Sequence, residues 1–445
     1  MVCAAHVSAQ SLDESQIAVV PLLENVTRVE NWSFFTPLPG GGDPDYTLLG
    51  NRATLAVRGE SRRIAFNGAV RYAQLLGLPR DAMGPGPLGA GAMYYAAARN
   101  RAAYQVYFKA ISLKVKYIAG GLSIEVGRQP YESGEGTPFA GRLLGNAEWT
   151  IFERSFDGVR ADYIRPGWRA HGSFLMPTQG AFEESANPTI QRVKTATASW
   201  TAGAVQTFAH YYRDTRAIRV RPDNSGRLAA AADLSVHTFG GAFSRSFDRV
   251  DVAAWGALQR GRWYSEAQRA VSGSAEAGYR WSSRWNLAAH GGLLYASGDD
   301  DGRDDHHATF FPMLPTTRPD AFEATVAQMN VRDLYVRAAA QPRDALSVRV
   351  EVHRQSLATA RDRWYSGTGA TAIRGEYFGF STRSALSATT LGTSLTASTN
   401  VRVASYWTIG GSLAIMKAGD VVSRQFSGDW FHVLTIENRF RLTTR

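Results

Sequence analysis

Residues 122–129 read LSIEVGRQ and residues 156–176 read FDGVRADYIRPGWRAHGSFLM. In the first, Leu122, Ile124 and Val126 alternate with Ser123, Glu125, Gly127 and Gln129. In the second, Val159, Ala161 and Tyr163 share one phase against Gly158, Arg160 and Asp162. Arg165-Pro166-Gly167 reverses the chain, and Trp168, Ala170, Gly172, Phe174 and Met176 then alternate with Arg169, His171 and Ser173. Successive side chains of a strand point to opposite faces, so this period of two predicts strands with one apolar face and one face carrying Arg, Asp and His. A soluble sheet shows the same alternation, and what separates the cases is which solvent each face meets.

The same pattern runs through the chain. Asn51, Ala53, Leu55 and Val57 alternate with Arg52, Thr54 and Arg58. After a turn at Glu60-Ser61, Ile64, Phe66, Gly68, Val70 and Tyr72 alternate with Arg63, Asn67 and Arg71. A Gly/Pro/Ala-rich segment over 79–102 precedes Tyr104–Tyr117, whose parity changes near Ile111 and predicts a bulge. Short turns are expected at Ala202-Gly203-Ala204, Asp248-Arg249, Ser282-Ser283, Pro342-Arg343-Asp344 and near Asn400. With a first strand near Val29 and a last from Trp430 to Leu442, the count is about 18. Short turns at one end, long connections at the other and an even strand number are the signature of a transmembrane barrel. The fold expected is therefore all-β: a single antiparallel barrel over residues 23–445, with short periplasmic turns and long extracellular loops.

Composition narrows the alternatives. No apolar run approaches the roughly 18 residues that a membrane helix needs. One cysteine, Cys3, excludes a disulfide framework. Tyr and Trp together number 29, and Tyr72, Tyr104, Tyr117, Trp168, Trp285, Tyr295 and Trp430 fall near expected strand ends, as aromatic girdles do. A soluble propeller or solenoid would carry a repeat of fixed period, and none is visible. Val7-Ser8-Ala9 resembles a signal-peptidase site, so residues 1–9 are expected to be a signal-peptide remnant and 10–22 a periplasmic segment.

Lysine makes up 5 of the 49 basic residues, leaving 44 arginines, for a net charge of +10. A nucleic-acid binder concentrates its charge on one patch, whereas here arginine recurs on the polar phase of strand after strand. Lipid on the outside assigns that phase to the interior, because a charge facing mid-membrane lipid costs about 2–4 kcal/mol. Leu346, Val348, Val350 and Val352 put Arg349, Glu351 and His353 inside, and Leu334, Val336 and Ala338 put Asp333 and Arg337 inside. Arg52, Arg58, Arg63, Arg71, Arg154, Arg160 and Arg169 complete a positive wall, with Asp162 among the acids expected to hold it. The wall favours anions, with pairing weak enough to release them. A barrel plugged by the same charges is the competing reading. The run Asp299 to His307 lacks the spacing of a calcium loop and reads as a solvated loop that meets divalent ions bridging lipopolysaccharide. No nucleophile motif points to an enzyme, and no cofactor or metal site is expected.

Several motifs, taken in order, resemble the alginate-export family of outer-membrane proteins. They are Gly127-Arg128-Gln129, Arg154 to Arg160, Tyr295 to Asp300, Asn330 to Asp333, His353, Asp362 to Tyr365, and Leu391-Gly392 with Ala418-Gly419-Asp420. The resemblance implies an 18-stranded outer-membrane barrel that acts as a monomer and passes an acidic polysaccharide through an Arg-rich constriction. It also implies an inward Arg128, which strict parity with Val126 would turn to lipid. Thr393 to Thr396 stand where the family carries an acidic pair, and the chain ends on Thr443-Thr444-Arg445 rather than on an aromatic. A polyuronate exporter working with periplasmic partners, a porin for small anionic solutes, and an outer-membrane enzyme or plugged barrel are the functions left to distinguish.

Overall fold

Alternation becomes structure where every second side chain has lipid to meet. In a computed structural model of the 445-residue chain, residues 17–37, 44–80, 89–180, 186–216, 218, 221–227, 233–316, 325–367 and 379–443 are described. The expected signal-peptide remnant lies outside them. Strands β1 to β6 are Ala18–Ser33, Asp45–Glu60, Ile64–Leu76, Ala102–Val115, Leu122–Gln129 and Phe156–Arg165. Strands β7 to β12 are Trp168–Pro177, Val193–Ala202, Val205–Asp214, Leu234–Phe247, Val250–Trp263 and Glu266–Arg280. Strands β13 to β18 are Ala288–Ala296, Val331–Arg343, Leu346–Leu357, Thr390–Ala404, Trp407–Ala418 and Trp430–Thr443. Each pairs antiparallel with its neighbours in sequence, and β1 pairs with β18 from Leu22 opposite Thr443 to Ser33 opposite His432, closing an 18-stranded barrel. Closure leaves no edge strand open.

The outward phase is the apolar one. Leu55, Val106, Leu334 and Val336 are each at least 60% exposed, a surface that only lipid tolerates over a whole wall. All seven aromatics read as girdle residues, Tyr72, Tyr104, Tyr117, Trp168, Trp285, Tyr295 and Trp430, stand on that exposed surface. Eight tight turns share one end with both ends of the barrel sheet, and the long connections share the other, with one exception: β11 passes to β12 through Tyr264-Ser265 alone.

Two details adjust the local reading. The bulge expected near Ile111 is at Lys109: Ala69 faces Ala110 but Val70 faces Phe108, so Lys109 and Ala110 both turn inward. The turn expected near Asn400 is instead at Ser405-Tyr406, because β16 runs on to Ala404. Val401 and Val403 continue the outward phase past Asn400, so the strand has lipid-facing side chains to place there and no reason to stop.

The core lies inside the barrel. Residues 130–155 and 297–316 fold into the lumen and bury Phe152, Phe310, Phe311, Met313 and Leu314 against the wall.

Candidate functional site

The segment from Tyr131 to Arg154 crosses the lumen and touches the wall in turn. The Tyr131 hydroxyl meets Thr197 of β8 at 2.9 Å. Arg142 donates to Ser274 of β12 at 3.1 Å and lies over the ring of Trp255 of β11. The Trp149 carbonyl accepts from Arg28 of β1, and the Glu148 and Thr150 carbonyls from Arg52 of β2 at 3.1 and 2.9 Å. The second connection meets it at a bridge between Leu144 and Leu314. Arg154, fully buried, donates at 3.1 Å to the carbonyls of both Gly145 and Leu314 and so clamps the two connections together.

Three charged clusters line this interior. In the first, Arg52 and Arg71 converge with Lys109 on Glu153, Arg71 at 2.9 Å and Lys109 at 3.0 Å. Burial alone would raise the Glu153 carboxyl, but Arg52, Arg71 and Lys109 hold it well below the usual carboxylate range. The second lies on β4 to β7: Asp162 receives Lys114 at 3.2 Å, Arg160 at 3.1 Å and His171 at 3.0 Å. Arg160 also reaches Glu135 at 3.2 Å, and Arg169 donates to the Glu135 carbonyl at 2.6 Å. In the third, on β12, β14 and β15, Glu276 binds Arg337 at 2.7 Å, Glu351 binds Arg349, and Asp333 meets His353 at 2.8 Å.

The remaining sequence candidates lie apart from these clusters. Arg58 shares the inward phase of Arg52 but is exposed at the short-turn end, and Arg63 sits in the turn that precedes β3. Arg128 stands on the phase of exposed Val126, where Asp157 grips its guanidinium in two bonds of 2.8 Å and the Phe108 carbonyl takes a third. Its charge is thus engaged at the wall, against the inward position that the motif implied. Glu153, Glu135, Glu276, Arg142 and Lys109 escaped sequence reasoning. For Lys109 alone there was a signal, the change of parity beside it.

Between the second cluster and the in-folded segment is a cavity of about 210 Å³ lined by Lys114, Arg160, Asp162 and His171. A larger one of about 400 Å³ lies toward the short-turn end, lined by Arg165, Arg169, Thr201 and Gln206. Among the described residues no group of three His, Cys, Asp or Glu is placed to hold a metal ion, the Asp299 to His307 run included.

Three of the motifs read from the sequence, Tyr295 to Asp300, Asn330 to Asp333 and Asp362 to Tyr365, meet at one knot of connections. Asn330 bonds the carbonyls of Thr359 and Arg363, and Asp362 accepts the Asp299 amide at 2.9 Å and the hydroxyls of Thr309 and Tyr365, each at 2.6 Å. A model of alginate export proteins matches residues 90–428, well over half of the chain, from β4 through β17. The chain belongs to the alginate-export family. No curated protein matches its sequence. Among solved structures, OccK2 (OpdF) of Pseudomonas aeruginosa is 11% identical at a TM-score of 0.57, covering 98% of this chain and 99% of its own. OccK2 in complex with glucuronate gives 10% and 0.58, covering 98% and 100%. OccAB2 of Acinetobacter baumannii gives 10% and 0.57, covering 96% and 98%. At such identities the likeness is one of fold. Family and barrel together make this member of the alginate-export family a channel of the bacterial outer membrane.

Proposed function

We propose that the channel is passive and anion-preferring, and that it passes uronate-bearing saccharides, an alginate-like polyuronate first among them. The observation that carries the reading is the convergence of Arg52, Arg71 and Lys109 on the single carboxylate of Glu153, three cations against one anion on one arc of the lumen. The cluster is buried beneath residues 148–153, so it acts on a uronate through its excess of positive charge, a field that concentrates anions in the lumen. Arg160 and Arg349, each held by its own acid, give weaker sites along the opposite walls, and transit needs that weakness. No step of this function calls for catalysis.

A second reading, uptake of small anionic solutes, draws on the filled lumen. The in-folded connections meet at Leu144 and Leu314, and the cavity of about 400 Å³ is of the size that holds single small ligands, about 300–1,000 Å³. That OccK2 is solved in complex with glucuronate fits either reading, since the carboxylated sugar is common to both.

Single-channel recording in a planar bilayer tests the proposal, with uronate monomers and oligomers added to either side. The Arg160→Glu plus Arg349→Glu variant runs beside the milder Arg169→Ala. An anion-selective reversal potential, block by oligomers, and loss of both in the double variant are the expected results. Passage of monomers with no response to oligomers moves the assignment to the second reading. A conductance indifferent to uronates and to all three substitutions overturns both.

A further inference from the structure

On the outer wall, the apolar phase of four adjacent strands ends at one level. Ala209 of β9, Phe239 of β10, Leu258 of β11 and Val271 of β12 stand directly opposite one another, strand to strand. Two residues further toward the long connections, the facing row is Tyr211, His237, Arg260 and Arg269. Arg262 lies one step beyond, opposite Ser235. These three arginines are exposed, and among the described residues no carboxylate pairs with any of them. Three nearby acids are engaged elsewhere, Asp233 with Arg213 at 2.5 Å, Glu266 with Arg221 at 2.9 Å on the lumen side, and Asp304 with His306 at 3.6 Å, and Asp305, whose carbonyl accepts from the Ala267 amide, forms no ion pair with the three arginines.

Arg260 directly opposite Arg269 is a like-charge cross-strand pair, which destabilises a sheet unless an anion sits between the two. Depth identifies the anion. The outward run from Val250 to Leu258 has the length that a tilted strand needs to cross the hydrocarbon, about 9–11 residues, so Arg260 and Arg269 emerge at the head-group level. In an outer-membrane barrel the long connections mark the outward end, where the facing lipid is a phosphorylated glycolipid. Guanidinium groups bind phosphate in a bidentate fork. We propose that Arg260, Arg262 and Arg269 seat the phosphorylated disaccharide of lipopolysaccharide. Its acyl chains lie along Phe239, Leu258 and Val271, and the paired rings of Tyr211 and His237, 4.7 Å apart, flank the sugar.

The test is native mass spectrometry of the full chain in detergent, titrated in turn with bisphosphorylated lipid A, with lipid A stripped of its phosphates, and with phosphatidylglycerol. One bisphosphorylated lipid is expected to stay bound, with the dephosphorylated form and phosphatidylglycerol at least tenfold weaker. Arg260→Gln plus Arg269→Gln should lose that preference. Arg245→Gln, at the other end of the same wall, should keep it. Equal binding of dephosphorylated lipid or of phosphatidylglycerol by the unaltered protein overturns the assignment, and needs no variant to fold. So does a double variant, folded by heat-modifiable gel migration, that binds as the unaltered protein does.

Discussion

Glu153 shows how much of the lumen depends on one side chain supplied by a connection rather than by a strand. Breaking a buried ion pair by removing one partner costs about 3–5 kcal/mol, because the charges left behind have no water to turn to. Glu153→Gln should therefore lower the thermal unfolding midpoint. It should also enlarge the single-channel conductance and make it more anion-selective, since it releases the segment that caps Arg52, Arg71 and Lys109. An unchanged conductance would mean that the segment is held by its backbone contacts alone. Alternation made the phase of Arg160, Arg349 and Glu351 legible, because their flanking apolar residues have lipid to face. It could not name their partners. Glu153 and Lys109 meet across 44 positions of chain, and Glu276 meets Arg337 across 61, through a curvature that no local pattern encodes.

The connections are elements in their own right, and the knot at Asp299 and Asp362 is a pH-sensitive joint among them. Burial pushes the Asp362 carboxyl up to about 6 and the Asp299 carboxyl up to about 7. Both therefore stabilise the knot fully below the ordinary carboxylate range, and that contribution is lost as pH rises through 6 and 7. The amides of Asp299 and Arg363, which donate to Asp362, should exchange hydrogen faster at pH 8 than at pH 5 after correction for intrinsic rates. In the Asp299→Asn plus Asp362→Asn variant that difference should disappear, and its persistence would place the sensitivity elsewhere. The motifs that gather here were visible in the sequence as an ordered set, but their meeting was not, because long connections carry no periodicity to say where they fold. The same gap hid the in-folding of 130–155. At Lys109 a parity change announced the bulge, and at Asn400 a turn-forming residue suggested a turn that continued alternation through Val403 overrode.

At the scale of the molecule, lipid enforces the fold. Val336→Arg, on the outward face of β14, should destabilise the barrel by about 2–4 kcal/mol in denaturant unfolding from vesicles, whereas the same charge already stands next to it on the inward phase as Arg337. Equal stability would contradict the assignment of that face to lipid. Strand number and handed alternation were therefore readable from the sequence, since each strand repeats the same solvent argument. The seam between β1 and β18 has a consequence of another kind. Its two halves are the first and last strands to leave the ribosome, with Val29 opposite Ile436, so no stretch of sequence shorter than nearly the whole chain can satisfy β1. Until β1 and β18 pair, any partly formed sheet carries two raw edges that would stick to a strand they met, including those of a second copy. Synthesis and closure are thus forced apart in time, and the cell must hold the seam open, away from other chains, for the whole of that interval.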